Sequence, residues 1–352
     1  MFKPLQLLPS RSLRPVLVAL VASLFVAGCG IHPIYTPTGQ VLSGYGESHA
    51  TPYVLEMDDI GMACSLGESL DPLLYSFKRV KANPETTGSL LQVLAGICAE
   101  REAVEEELRY LRAEHKNDLS GMRDARNAMQ RKYGATANRR LKAFNRGMTA
   151  FRFDPASQVE ELDCPCYRND QDELTFMMAL LSGAQAVLDD AKAGGRAGVS
   201  RSLAPQVERA AACLDSEKWG GLPGNIRAVI WVLLPDTRPD DDLDPWAVMK
   251  ANREVAMAAG MRTAMALELV MAENVGRTET VAEVLAFLAE SEERFVVRPE
   301  YQLVDLVGME VALFVSDRIW TDRYGYRTPS NRFGRISDEQ EQDESINTEG
   351  LL

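Results

Sequence analysis

Apolar side chains recur at helical spacing almost throughout the chain from Met57 onward. The segment 171–192 shows this pattern strongly, because its apolar residues return every three or four positions, as on one face of an amphipathic helix. No convincing alternation of apolar and polar residues points to a β-strand. The sequence therefore predicts an all-α body of about ten helices, over residues 57–81, 85–116, 118–151, 171–192, 204–216, 226–234, 246–259, 262–275, 276–293 and 299–320.

Many of these helices follow one another closely, which predicts a multi-helix bundle of helical hairpins. Helix pairs of roughly 30 to 40 residues are also compatible with degenerate tetratricopeptide-like repeats, although no fixed period stands out. In the most distinct hairpin, a densely charged, acidic half of the 85–116 helix is followed by a basic 118–151 helix. Two interpretations are open: complementary faces of an antiparallel hairpin, or two separately solvated faces, since exposed ion pairs stabilise little.

The last predicted helix, 299–320, is apolar on most sides, which is typical of a central helix. Asp305 and Glu310 interrupt it, so it is not expected to span a membrane. One side carries Val304, Val307, Val311, Phe314 and Ile319, and another carries Leu306, Met309 and Leu313.

The N-terminus has the pattern of an export signal. Lys3, Arg11 and Arg14 precede an uncharged apolar run over residues 16–27, and small residues then lead into Cys29. The sequence Val26-Ala27-Gly28-Cys29 resembles the lipobox of bacterial lipoproteins, in which the cysteine is acylated and becomes the new N-terminus. The alternative is an uncleaved membrane anchor, but a twelve-residue run is short for a span, which needs about 20 residues.

We therefore expect four parts in the chain: a signal peptide over 1–28, a flexible tether over 29–56, a helical domain over 57–325 and a disordered acidic tail over 326–352. Gly30, rather than an aspartate, follows the cysteine. This resembles lipoproteins that are sent to the outer membrane, so we expect a palmitoylated protein facing the periplasm.

The charge of the chain argues against nucleic acid as a partner. The chain has 38 basic and 51 acidic residues, and the first 28 residues hold three basic and no acidic ones. The mature protein therefore has a formal charge of −16, which repels nucleic-acid phosphates. It also gains no electrostatic attraction to anionic lipids, so membrane attachment is expected through acyl-Cys29.

The remaining cysteines fit disulfides in an oxidising compartment. Cys64 and Cys98 lie in neighbouring predicted helices and are expected to pair. Only Pro165 separates Cys164 from Cys166, so these two cysteines do not easily bridge to each other. One of them, with Cys166 as the candidate, is expected to pair with Cys213 and to leave one thiol free. A redox couple or a metal site is the alternative, but no histidine lies near in sequence, so no metal and no cofactor are predicted.

No phosphate-binding loop, dinucleotide fingerprint or catalytic constellation is evident, so the sequence does not predict an enzyme. Glycines and a proline surround Trp219, and Trp231 and Trp246 follow closely in the chain. Clustered aromatic residues beside turns can wall an apolar pocket, and a helix start near Asn225 with Arg227 can hold an anion. These residues are the candidate ligand site; the alternative is that the tryptophans are ordinary core residues.

With the lipobox and the helical body, the segment Trp219-Gly-Gly-Leu-Pro-Gly, with Ile-Arg-Ala and Leu-Pro after it, resembles the T-component lipoproteins of TRAP transporters. That resemblance implies a helical shell around a cavity, a periplasmic substrate-binding protein as partner, and a small organic or lipid-like ligand. We therefore expect a non-enzymatic envelope lipoprotein that helps to bind or transfer a hydrophobic or amphipathic molecule. The alternative is a helical scaffold for protein–protein interactions in the envelope.

Overall fold

The computed structural model describes residues 32–157 and 163–338, and within these ranges the regular structure is helical throughout. The predicted all-α class is therefore confirmed, while the packing does not establish a tetratricopeptide-like repeat. The signal peptide and Cys29 lie outside the described residues. The α-helices are α1 (Tyr35–Tyr45), α2 (Thr51–Leu55), α3 (Ile60–Ser76), α4 (Glu85–His115), α5 (Leu119–Ala150), α6 (Asp170–Lys192), α7 (Leu203–Ala211), α8 (Leu222–Leu233), α9 (Pro245–Ala259), α10 (Thr263–Asn274), α11 (Thr278–Ser291) and α12 (Gln302–Tyr324).

The observed ends of most helices lie within a few residues of the ends predicted from apolar spacing. The 57–81 prediction differs most, because the carboxylate of Asp59 accepts a hydrogen bond from the backbone N–H of Met62 at 3.0 Å and caps α3 there. Pro72 lies inside this helix, and α3 continues through it as one element. In residues 32–157 and 163–338, no helix has both the length and the apolar character that a membrane crossing needs.

Helices α4 and α5 form the predicted antiparallel hairpin. The carboxylate of Asp118 caps α5 by accepting the backbone N–H groups of Ser120 and Gly121. Acidic residues of α4 meet basic residues of α5 across the hairpin, as in the exposed pair of Glu102 with Lys132. One exposed pair has the opposite polarity, since Arg109 of α4 lies 2.7 Å from Asp124 of α5. The interpretation as complementary faces is therefore confirmed, although such exposed pairs stabilise little.

The main hydrophobic core surrounds α6. Phe176, Met177 and Leu180 are fully buried there against apolar residues of α7, α8, α10, α11 and α12. Helix α6 packs directly against α4, α5, α7 and α8, while α10, α11 and α12 complete the same core cluster.

The N-terminal segment differs from the expected flexible tether. A π-helical stretch over Gly46–Ala50 joins α1 to α2, so residues 35–55 form one continuous helical segment. The glycine, serine and threonine residues that suggested flexibility form its packing face. A Cβ at Gly39 would lie 2.7 Å from Phe77 Cβ, and one at Gly46 would lie 2.8 Å from Thr87 Cγ2, so these glycines allow close contact with the body.

The first part of the expected disordered tail also packs on the body. The indole N–H of Trp320 donates to the carbonyl of Arg335 at 2.9 Å, and the backbone N–H of Asp338 donates to the hydroxyl of Tyr324 at 2.9 Å. Residues 326–338 therefore lie against the end of α12. The remainder of the predicted tail, 339–352, lies outside the described residues.

Two disulfides link separate segments within the described residues. Cys64 and Cys98 pair as predicted and join α3 to α4, whereas Cys213 pairs with Cys164. The expected pairing of Cys213 with Cys166 is wrong, because the irregular segment before α6 brings the Cα of Cys164 to 5.4 Å from that of Cys213 and leaves Cys166 exposed as a free thiol.

The bridged Cys213 and the free Cys166 predict different effects for their substitution. Cys213→Ser removes the bridge and should lower the free energy of unfolding by about 2–4 kcal/mol, since an open denatured chain gains entropy. Cys166→Ser should leave that free energy unchanged, because Cys166 is exposed and unbridged. Urea titrations under non-reducing conditions measure both values, and an equal effect of the two substitutions contradicts the assignment.

Candidate functional site

The four residues of the predicted ligand site lie in the packing around α8. Trp231 and Arg227 come together, since the indole N–H and the guanidinium Nε–H both donate to Oε1 of Glu208 at 2.9 Å. Trp219 is buried and donates to Oε1 of Glu173 at 2.8 Å. Trp246 lies in a small apolar cluster with Trp231, and the guanidinium of Arg277 covers its ring.

The expected anion site at this helix start has other contacts in the fold. Helix α8 begins at Leu222, so Asn225 lies inside its first turn, where its amide donates to the carbonyl of Ala264 and accepts from Asn252, each at 2.7 Å. Arg227 is paired with Glu208. The side chains that were candidates for a ligand site are thus engaged with the protein itself.

A cavity lined by residues other than the predicted site residues lies on another face of α6. This central cavity has a volume of about 170 Å³, measured as the space open to the centre of a water molecule. Helices α4, α6, α10 and α12 form its long walls, and none of the four predicted site residues lines it. The walls are almost wholly apolar, with Leu90, Leu94, Ile97, Met178, Leu181, Leu188, Ala266, Leu267, Val270, Val307, Val311 and Phe314 among the lining residues.

The cavity is long and narrow. On α6 its lining runs from Met178 to Lys192, and on α12 from Leu303 to Arg318. With a rise of 1.5 Å per residue, both stretches are about 20 Å long. Leu94, Val270 and Val311 are only half-buried although their helices are central, because these side chains face open space instead of neighbouring atoms.

The two ends of the cavity differ in character. At one end Gly46, Ala50, Thr51 and Val54 of the N-terminal helical segment close the space. At the other, which we call the charged end, the lining residues are Glu100, Tyr133, Arg140, Asp189, Lys192, Asn274 and Arg318. Asn274 is exposed at this charged end, so the cavity reaches the molecular surface there.

Every cation of the charged end has a carboxylate partner. Arg140 is buried between Glu100 and Asp189. Arg318 donates its Nε–H to Glu273 at 2.8 Å, and its guanidinium also lies 3.8 Å from Glu107. The three cations are therefore balanced by nearby carboxylates, and the cavity is not a strongly electropositive pocket.

Lys192 has the weakest ion pair of the three cations. Its ammonium lies 3.5 Å from the carboxylate of Glu107 and donates to the hydroxyl of Tyr133 at 3.2 Å, with 31% of the side chain exposed. The hydroxyl of Tyr133 in turn donates to Glu107 at 2.5 Å. Lys192 and Tyr133 are therefore the polar groups best placed to meet a ligand at the mouth of the cavity.

Burial and charge set the protonation states in this network. Burial, and then the nearby carboxylate of Glu107, raise the pKa of Tyr133 well above its usual 10. Burial would also raise the pKa of Glu107, but the charges of Arg318 and Lys192 outweigh it and lower that pKa. At neutral pH the network thus holds a neutral phenol and an ionised Glu107.

Burial raises the pKa of Asp189 to about 6, although its ion pair with Arg140 opposes the shift.

Within the described ranges, no group of three or more histidine, cysteine, aspartate or glutamate side chains is arranged to hold a metal ion.

The sequence contained a partial signal of this cavity. One of the two apolar sides predicted for the last helix, with Val304, Val307, Val311 and Phe314, lines it. Periodicity marks such residues as inward-facing, but it cannot show whether they meet another side chain or empty space. The location of the cavity was therefore missed, because it depends on how four helices pack together.

Comparisons with known proteins add no assignment. No protein-family model matches the chain, and neither the curated proteins nor the solved structures include a match.

The raised pKa of Tyr133 predicts a measurable pH dependence. The phenol is neutral when folded, so its contribution to stability is complete below the unfolded pKa of about 10 and is lost as the pH rises above it, by up to about 1.4 kcal/mol per pH unit. Between pH 10 and 11, Tyr133→Phe should therefore lose less unfolding free energy than the wild type. The control is Tyr53→Phe at an exposed position, which should follow the wild-type slope. Identical slopes for all three proteins in urea titrations would contradict this account.

Proposed function

We propose that this protein is a lipid-anchored, non-enzymatic envelope protein that holds a hydrophobic or amphipathic small molecule and passes it to a periplasmic transport partner. The observation that carries the proposal is the central cavity, a narrow apolar space about 20 Å long with charged side chains at one end. Ligand pockets in proteins typically combine apolar walls with a few placed polar groups in this way.

The walls favour the apolar part of such a ligand. Transfer of apolar surface from water into the space between Leu94, Val270 and Val311 contributes about 25 cal/mol per Å². It also fills a void whose lining atoms otherwise lack contacts on one side. A linear aliphatic chain fits the length and the narrow width of the space better than a compact ring system.

The charged end favours a particular head group. Because its arginines are already paired with carboxylates, a bare anion gains little there and meets Glu100, Glu107 and Asp189 nearby. A neutral or zwitterionic head group can accept a hydrogen bond from Lys192 without disturbing these ion pairs, and a cationic head group can donate to the nearby carboxylates. The preferred ligand is therefore a long-chain amphipath whose head is not a simple anion.

Several features favour binding over catalysis. The hydroxyl side chains on the cavity wall, such as Ser182 and Thr263, lack a histidine neighbour, since His32, His49 and His115 do not line the cavity. A nucleophile needs an adjacent base, oriented by a third group. The carboxylates of the charged end are instead held in ion pairs.

The anchor and the partner rest on the sequence. The lipobox-like Val26-Ala27-Gly28-Cys29 supports acylation at Cys29 after export, and Gly30 supports the outer membrane as the destination. The resemblance of the 219–235 segment to T-component lipoproteins supports a substrate-binding protein of a transporter as the partner.

The anchor can be tested in cells. Labelled palmitate should be incorporated into the wild-type protein and not into a Cys29→Ala variant, which should also leave the membrane fraction or stay unprocessed. Gel autoradiography of the immunoprecipitated protein measures the incorporation. Equal labelling of the two proteins would rule out the assigned anchor.

The ligand site can be tested with a blocking substitution. Val311→Trp places an indole in the cavity and should weaken the binding of a fluorescent long-chain amine at least about tenfold, which is about 1.4 kcal/mol. Leu313→Trp, on the exposed side of the same helix, is the matched control and should bind as the wild type does. Thermal melts of both variants verify folding, and fluorescence titration measures the dissociation constants.

Competition with unlabelled ligands adds the head-group test. A long-chain alcohol and a long-chain amine should displace the fluorescent amine better than a fatty acid of equal length does. Binding that is unaffected by Val311→Trp would contradict the cavity as the site, and capture of an envelope partner equally by both variants would favour the scaffold alternative.

A further inference from the structure

The N-terminal helical segment, residues 35–55, has two faces of opposite character. Its inner face packs on the body through small residues, including Thr36, Gly39, Ser43 and Gly46, which are buried. Its outer face carries large apolar side chains that touch little protein and are between 43% and 69% exposed, namely Ile34, Tyr35, Val41, Leu42, Tyr45 and Tyr53. We call these six residues the outer stripe.

The spacing of the outer stripe places its members on one side of the helix. Ile34, Val41 and Tyr45 are seven and four residues apart, and Tyr35 and Leu42 are again seven apart, so they share a face. The stripe holds no charged residue. In residues 32–55 the only aspartate, glutamate, lysine or arginine is Glu47, and it is paired with Arg168 at 3.2 Å.

The stripe is a concentration of exposed apolar surface. Of the fifteen large apolar side chains that are exposed in the described chain, six lie within residues 34–53. Single exposed apolar residues are normal on a protein surface, whereas a contiguous patch marks an interaction site. Exposure of three tyrosines and three aliphatic residues together to water is unfavourable, so contact with water alone does not explain this patch.

We propose that the outer stripe lies on the lipid bilayer, in the interfacial layer next to the acyl anchor. This inference rests on the acylation of Cys29 that the proposed function includes. Cys29 and Tyr35 are only six positions apart in the sequence, and a chain of this length spans at most about 20 Å. An acyl group in the membrane therefore holds the start of the stripe within reach of the lipid head groups.

The chemistry of the stripe fits this occupant. Tyrosine is enriched at the membrane–water interface, because its ring is apolar and its hydroxyl stays hydrated. Aliphatic side chains beside it bury apolar area in the boundary region, as in helices that lie in the plane of a membrane. Because the stripe is uncharged, it does not need anionic lipids, which the acidic protein would repel.

The same helical segment also closes the central cavity. Gly46, Ala50, Thr51 and Val54 of its inner side line that space, while Tyr45 and Tyr53 belong to the outer stripe. When the stripe lies on the bilayer, one helix separates the lipid phase from the closed end of the cavity. This arrangement gives an apolar ligand a short path between the two.

Photo-labelling by lipids tests the stripe directly. The full protein is purified from membranes in detergent and reconstituted into phosphatidylcholine vesicles that contain a phosphatidylcholine with a diazirine in its acyl chain. After illumination, mass spectrometry of the peptides maps the lipid adducts. Labelling should concentrate in residues 32–57, and added salt should not change it, since the stripe is uncharged.

Two double substitutions give a matched comparison. Val41→Glu with Leu42→Glu changes two adjacent exposed apolar residues of the stripe, and Leu233→Glu with Leu234→Glu changes an equivalent pair at the end of α8. The first double variant should lose the labelling of residues 32–57, and the second should keep it. Both should melt as the wild type does and should stay on the vesicles through the acyl group.

Labelling that is spread evenly, that concentrates elsewhere, or that survives Val41→Glu with Leu42→Glu overturns the proposal. Adducts between two copies of the chain at the stripe also overturn it, because a second copy is then the occupant. The mass of the N-terminal peptide reports acylation separately. If no acyl group is found, the anchor of the proposed function fails, and flotation of the same protein with these vesicles then tests the stripe alone. Flotation of the wild type that Val41→Glu with Leu42→Glu abolishes supports the membrane proposal. Absence of flotation overturns it.

Discussion

The arrangement of the long helices depends on one buried guanidinium. Arg140 of α5 lies between Glu100 of α4 and Asp189 of α6, and all three side chains are largely removed from solvent. The space beside Gly96 on α4 accommodates it, since a Cβ there would lie 3.2 Å from Cγ of Arg140. A buried charge of this kind is strongly destabilising when a partner is missing, so it fixes how the three helices face one another.

This constraint matters because the centre of the bundle is not filled. Apolar packing alone favours collapse of the walls onto the open space, and the cost of a cavity rises with its volume. Arg140 at one end and the Arg146–Asp71 pair, which joins α5 to α3, hold the walls through directional contacts. The disulfide between Cys64 and Cys98 adds a covalent link between α3 and α4. The cavity is therefore compatible with a stable fold.

The sequence predicted what local periodicity determines and failed where packing decides. Helices α4 to α6 and α9 to α12 followed from apolar spacing, because apolar residues recur at helical intervals in each of them whatever its neighbours are. The segment 35–55 was misread, since Gly39 and Ser43 have the composition of a flexible linker and yet form a close packing face. Trp219 and Trp231 are only twelve positions apart, but helix packing directs their indole N–H groups to different glutamates. The partner of Cys213 was likewise not predictable, because it depends on the path of an irregular segment.

The two ends of the central cavity set the energetics of the proposed transfer. A chain that enters from water gains about 0.8 kcal/mol for each buried CH₂ group, whereas a chain that comes from a bilayer exchanges one apolar environment for another and gains little. Exchange with the membrane is then nearly balanced in free energy. The contacts of the head group with Tyr133 and Lys192 at the charged end decide its direction. Because these contacts are a few hydrogen bonds at a partly exposed mouth, a partner that offers comparable ones can take the ligand without unfolding its carrier.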